Sequence, residues 1–394
     1  MIRKIRFYYF APHPVQYHYG IYKELAKFNN LDFRVIYEDD IGLKPIYVEE
    51  FKQEIKWDID LLSGYPYEFM KNYGNPKKEG FFARVNFSIF KKLLIDKPDV
   101  ILFKTYTNFS DWLIMFLTRF TKIKIIFRGE ATLKGNEGKT LKSKIKEKVL
   151  KWWLKNCDIV MYSCTGNKEY WKYYGVRENK MLPIPCAVDN DFFQSERKKY
   201  LGKEKEIRKE LGIDENDFVI VYVSRFNKNK NIETLIKSVG IINNKNISLL
   251  LVGDGSEMNN LKLLSKKYNV KSIFVGFKNQ NEIPKYYSIA NLFILLSKDF
   301  ENSPKVLNEA MNFELPVIVT KIAGTAEDLV FDNVNGFKVD PLNVDDIAQK
   351  INYLNKNREI TKQMGKKSLE IVNNWTFEKD AYYINEAIQR VIKK

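Results

Sequence analysis

The run Leu292-Phe-Ile-Leu-Leu296 is unbroken apolar sequence of strand length, and it constrains this chain more than any other stretch. A strand with one wet face alternates polar and apolar residues. A run without alternation is covered on both faces, as a central strand of a parallel sheet is. Ser303-Pro304 then reads as the N-cap and first residue of a helix, because proline lacks only a donor that the first turn leaves unpaired. With the second apolar run Pro316-Val-Ile-Val-Thr320 the pattern is strand, helix, strand, and the fold class expected is α/β.

The same helix start gathers chemistry. The amides of Lys305 and Val306 would point out of it, where the helix dipole favours an anion. Two carboxylates frame the spot, Glu301 before the helix and Glu309 in its second turn. Acids beside a phosphate-seeking helix start repel the phosphate unless they hold something else, and carboxylates accept hydrogen bonds from hydroxyls well. The ligand implied has phosphate in its middle and hydroxyls at both ends, the layout of a nucleotide sugar. The plainer reading pairs Glu309 with Lys305 and leaves Glu301 solvated, but Lys ahead of Glu is the weaker order on a helix.

A second cluster of charge follows the apolar run Phe218–Val223. Arg225-Phe-Asn-Lys-Asn-Lys230 sits at a strand-to-helix turn, where arginine binds two oxygens at once and lysine adds a point charge, a clamp suited to a diphosphate.

Glu301-x7-Glu309, set between an apolar strand and Leu315-Pro-Val-Ile-Val319, resembles the signature of the retaining GT-B glycosyltransferases of family 4. Arg225 and Lys230, Gly253-Asp-Gly255, Gly276-Phe277 and Gly324-Thr325 stand around it in that family's order. The resemblance implies two Rossmann-like domains facing across a cleft, residues 1–200 for the acceptor and 201–375 for the nucleotide sugar. A C-terminal helix over 376–394 would cross back onto the first. It implies that Arg225 and Lys230 hold the donor diphosphate with Ser303, Pro304, Lys305 and Val306. Glu301 would bind the sugar hydroxyls and Glu309 the ribose, with Gly253 and Phe277 on the nucleotide side.

In the first half, residues 4–10 read as a strand and Ala11 to His18 as the loop at its carboxyl end, where parallel α/β sheets bind ligands. His13 and Gln16 are therefore site candidates, against the plainer reading of a proline-fixed turn with exposed histidines. The family usually has a glycine-rich loop here, and His13-Pro-Val-Gln16 is similar to a subset of bacterial members. Many relatives place a histidine near the loop Arg128-Gly129-Glu130-Ala131. This chain has none there, so either Arg128 or Glu130 serves instead, joining His13, Glu301, Arg225 and Lys230 in the catalytic set, or the contact is lost.

Composition limits the rest. A chain of 394 residues suggests two domains. Its two histidines, both in one short segment, exclude a His-based zinc site or a Ser-His-Asp triad elsewhere. Cys157, Cys164 and Cys186 have no metal spacing, and an odd count argues against a disulfide framework. No metal or bound cofactor is expected, only the donor as co-substrate. No apolar run approaches the roughly 20 residues that span a bilayer, and the N-terminus enters a strand, so a cytoplasmic or peripheral protein is expected.

The net charge of +16 predicts an anionic partner. Residues 140–157 read as a helix with Leu141, Ile145, Val149 and Trp152 on one side and seven lysines from Lys139 to Lys155 around it. That pattern fits contact with an acidic membrane, or equally a helix docked on its own sheet with Trp152 in the core. Aromatics spread through strands and no nucleic-acid motif is visible, so nucleic acid is not expected. The activity implied is metal-independent retaining transfer from a nucleotide sugar to a saccharide or lipid-linked acceptor, of the polysaccharide or cell-envelope type. A GT-B-like sugar-nucleotide epimerase and a non-catalytic basic binding protein are the alternatives.

Overall fold

The computed structural model describes residues 3–393 apart from 44, 49–52, 56, 79, 134–139 and 300. Its strands are β1 (Ile5–Ala11), β2 (Leu31–Tyr37), β3 (Ile46–Val48), β4 (Gln53–Ile55), β5 (Tyr67–Phe69), β6 (Val100–Phe103), β7 (Lys124–Arg128), β8 (Ile159–Tyr162) and β9 (Met181–Pro183). They continue with β10 (Phe218–Val223), β11 (Ile247–Val252), β12 (Lys271–Gly276), β13 (Leu292–Leu295), β14 (Val317–Thr320) and β15 (Gly336–Val339). Seven make a sheet in the order β5-β2-β1-β6-β7-β8-β9, six a sheet in the order β12-β11-β10-β13-β14-β15, and β3 pairs with β4. Both large sheets are parallel throughout. Every residue of β13 is buried, as its lack of alternation predicts.

Contacts divide the chain into two compact units. One comprises Met1–Ile46, Ile55–Pro185 and Phe377–Lys394, the other Tyr47–Glu54 and Cys186–Thr376. The sequence reading put the change near residue 200, and the helix Asn190–Tyr200 shows why it comes earlier. Asn190 Nδ2 donates to the carbonyls of Val372 and Trp375 at 3.1 and 3.0 Å, and Gln194 Nε2 donates to Asn312 and Asn373. That helix belongs with the second unit because side-chain amides satisfy carbonyls there, a requirement its charged sequence does not advertise.

The first unit's core is aromatic. Phe127 of β7 lies edge-on to Phe103, Trp153 and Trp171, with centroids 5.6, 6.2 and 5.8 Å away. The helix Leu141–Lys155 starts at a capping box between Thr140 and Ser143 and buries Leu150, Trp153 and Leu154. Leu141, Ile145 and Trp152, the apolar side read from the sequence, face outward and are 76%, 56% and 39% exposed. Trp153 supplies the core tryptophan instead, since it falls on the stripe with Leu150 and Leu154. Lys139 lies outside the described residues. No described helix is long and apolar enough to cross a membrane.

The helix Phe377–Ile392 packs within the first unit along the helix Tyr19–Ala26, and a Cβ at Gly20 would run into the Phe377 ring. Phe377 is itself buried, so it has nowhere to retreat. Gly20→Val should therefore destabilise by about 1–3 kcal/mol. Hydrogen exchange should quicken first in 377–392; uniform protection there would refute the packing argument.

Candidate functional site

Both large sheets reverse their winding once. In the second unit the chain steps from β10 out to β11 and β12, then returns to β13 on the other side. The loops after β10 and β13 thus diverge, leaving a crevice at their carboxyl ends, the general ligand position in open parallel sheets. The first unit repeats this between β1 and β6.

The second unit's crevice holds charge. The ammonium of Lys230, after β10, pairs with Oε1 of Glu301, after β13, and each side chain keeps only about a fifth of its surface exposed. Burial first, then the neighbouring Arg225, pushes the Lys230 pKa down to about 8. Glu301 is the counter-charge that holds the ammonium in place, and its Oε2 accepts from Ser297 Oγ at 2.7 Å. Three groups predicted to act together are thus together, and the fully buried Tyr222 explains how. Its hydroxyl donates to the Lys230 carbonyl and accepts from the Leu296 amide, tying one loop to the other. A second tie runs from the Lys298 amide to the Asn229 carbonyl, 2.9 Å. Asn227 caps the turn Lys228–Lys230 by accepting from the amides of Asn229 and Lys230.

Gly253 and Gly255 have a steric reason. Their φ values are +138° and +152°, and a Cβ at either would collide with a carbonyl oxygen, of Ser224 or of Phe226. The Gly-Asp-Gly turn lies directly against the Arg225 loop, and the Phe226 amide donates to Asp254 at 2.7 Å. Phe277, half-buried, comes immediately after β12.

The helix after β13 spans Lys305–Met311, one residue later than expected, with Pro304 rather than Ser303 at the N-cap and no side-chain cap. Proline's fixed φ serves the cap position as well as the first turn, which is why the sequence misplaces the boundary. The helix has seven residues, so positive charge here comes mainly from Arg225 and Lys230. Lys305 and Val306 open its first turn, partly buried. Glu309 is buried and accepts from the Tyr287 hydroxyl at 3.1 Å. Near Glu301, whose carbonyl accepts from Gly324, two hydroxyls that the sequence reading had already named, one at the helix start and one after Gly324, are informative. Ser303 Oγ and Thr325 Oγ1 are buried and find no hydrogen-bond partner among the described residues. Buried hydroxyls are normally satisfied, so these two suit a ligand's oxygens.

In the first unit the loops after β1, β6 and β7 enclose a cavity of about 400 Å³. Its lining includes His13, His18, Lys104, Arg128, Glu130 and Trp171. Arg128, 1% exposed, approaches Glu130 at 3.3 Å. Gln16 is buried but does not line the cavity. Behind His13 stands Arg84, a residue no motif signalled, with Nε 2.7 Å from Asp39 and 3.7 Å from buried Glu38. Burial drives the Glu38 carboxyl well above its usual range, and Asp111 alongside is pushed up to about 6.

Parts of the chain are similar to known glycosyltransferases. Residues 203–370 match the family described as Glycosyl transferases group 1. The chain is 26% identical over 181 residues to N-acetyl-alpha-D-glucosaminyl L-malate synthase of Bacillus anthracis, covering 46% of this chain and 47% of that one. It is 30% identical over 209 residues to the capsular polysaccharide biosynthesis glycosyltransferase CapM of Staphylococcus aureus, 50% of this chain and 52% of that one. The chain spans between 47% and 62% of the first three curated relatives it matches. The crystal structure of Anabaena Alr3699/HepE in complex with UDP matches with a TM-score of 0.75 at 18% identity, over 98% of this chain and 100% of that one. The chain has the GT-B fold, with two parallel-sheet α/β domains.

The lowered pKa is directly measurable. Competitive acylation read by mass spectrometry should give Lys230 a reactivity midpoint near pH 8, below that of the surface lysines. Arg225→Gln should raise the midpoint and Glu301→Gln lower it. A midpoint indifferent to both would show that the three side chains do not interact.

Proposed function

We propose that this chain is a glycosyltransferase that moves a sugar from a nucleotide-sugar donor to a saccharide or lipid-linked acceptor, with retention of anomeric configuration. The observation that carries the reading is Lys230 paired with Glu301 beside Arg225, inside the region that matches the Glycosyl transferases group 1 family. A departing nucleoside diphosphate needs positive charge already in place, and Arg225 and Lys230 supply it without a metal ion. The diphosphate competes with Glu301 for the ammonium, which turns the carboxylate toward sugar hydroxyls. Glu309, steadied by Tyr287, takes the ribose, and Ser303, Thr325 and the amides of Lys305 and Val306 add donors. Phe277 and Gly253 lie on the nucleotide side. The leaving phosphate oxygen accepts the acceptor's proton, so transfer on one face of the sugar proceeds with no protein nucleophile. Because Alr3699/HepE was solved with UDP, uridine diphosphate sugars are the first donors to try.

The acceptor is met at a membrane in this reading, on its cytoplasmic face. Leu141 and Ile145 stand exposed among Lys142, Lys144 and Lys148, and Trp152 stacks on Trp112 at 5.8 Å beside exposed Phe116 and Phe120. Apolar side chains ringed by lysines match an anionic bilayer surface.

Glu301→Gln and Lys230→Ala should each lower kcat by about 100- to 1000-fold while the protein stays folded; full activity in both removes the site. NMR of the product should show the donor's anomeric configuration, while conversion of donor without acceptor would instead identify an isomerase. The protein should co-sediment with anionic vesicles and release on Lys→Gln replacement along 142–155. Binding that survives those replacements would acquit this helix.

A further inference from the structure

The two histidines of the first-unit cavity are held in opposite ways. Arg84 Nη2 lies 3.1 Å from His13 Nδ1, and Arg84 is itself pinned, Nε to Asp39 Oδ2 at 2.7 Å. A guanidinium has only donors, so Nδ1 must accept, and the neutral ring keeps its proton on Nε2. Protonating Nδ1 would set two donors against each other. Burial lowers the His13 pKa in the same sense; Asp39 opposes this, and Arg84 and Lys104 reinforce it. Five residues on, Lys104 Nζ lies 2.6 Å from His18 Nε2 and 3.4 Å from its Nδ1. An ammonium also only donates, so the nearer nitrogen, Nε2, accepts and the His18 proton sits on Nδ1.

We infer that Arg84 is a positioning residue that locks His13 as the Nε2–H tautomer, making it a hydrogen-bond donor, and not a base, toward the ligand of this cavity. With Nδ1 occupied, Nε2 is the nitrogen His13 has left for the cavity it lines. His13 Nε2–H then joins the Lys104 ammonium, which also meets His18, and the Arg128 guanidinium, which also meets Glu130, in a lining rich in donors with Glu130 as the acidic exception. The group this lining fits presents acceptor oxygens, an oxyanion best of all. If the proposed glycosyl transfer holds, on which this clause alone rests, the acceptor's hydroxyl proton does not leave through His13.

The chain's two histidines make the test simple. Long-range proton–nitrogen NMR of the full chain labelled with 15N-histidine, without ligand, reads both tautomers, and His13→Gln identifies the His13 signals. His13 should show a protonated Nε2 and bare Nδ1, His18 the reverse, and His13 should stay neutral as the pH falls through the ordinary histidine range. Arg84→Met should let His13 titrate within that range, and Arg84→Lys should restore its resistance. A wild-type His13 with a protonated Nδ1, or one that titrates ordinarily, overturns the inference, as does an Arg84→Met spectrum like wild type. Should Arg84→Met fail to fold, with Asp39 and Glu38 left unpaired, the wild-type titration decides alone. No donor or acceptor is needed, so failure here is separate from failure of the transferase reading.

Discussion

The reversal of strand order between β10 and β13 is the constraint on which the second unit's chemistry depends. Parallel strands need crossover connections, and where successive crossovers leave in opposite directions nothing covers the strand ends between them. A gap alone would leave the two loops independent. Tyr222 removes that freedom: from inside β10 its hydroxyl reaches the Lys230 carbonyl and the Leu296 amide, so the backbones bearing the cation and approaching the carboxylate are set against each other. A buried hydroxyl with both a donor and an acceptor role satisfied is inexpensive to keep and, with either partner lost, costly.

The two units meet the problem of buried charge in the same way. Lys230 loses solvation and is repelled by Arg225, and Glu301 with Ser297 behind it compensates. Arg84 enters the first unit's interior because Asp39 and Glu38 are already there. In each, a cation is held by an acid at a strand's carboxyl end. Preorganised charge of this kind stabilises a developing anion without reorganising when it forms.

Legibility varied with the range of the interaction. The parallel α/β class followed from β13, because burial on both faces erases alternation along a strand. The Arg225–Lys230 segment and Glu301 were visible as charge after apolar runs. The helix start at Lys305 was misplaced by one residue, since proline is acceptable at either position. Trp152 and Trp153 were exchanged because adjacent positions on a helix differ by about 100°, and only the neighbouring sheet says which side is inward. Arg84, Tyr222 and Ser297 carry no motif; Arg84 and Tyr222 matter through partners distant in sequence, and Ser297 through Glu301 on the following loop.

The sequence by itself determined what neighbours along the chain can settle. It set strand and helix periodicity, the turns that glycine permits at 253 and 255, and the kinds of charge placed after each strand. Tertiary structure alone decided which charges meet, which tryptophan is core, where one unit ends, and which nitrogen of His13 faces Arg84. The reason is physical: periodicity and turn preference act over a few residues, whereas desolvation and hydrogen-bond satisfaction depend on everything that closes around a group once the chain has folded.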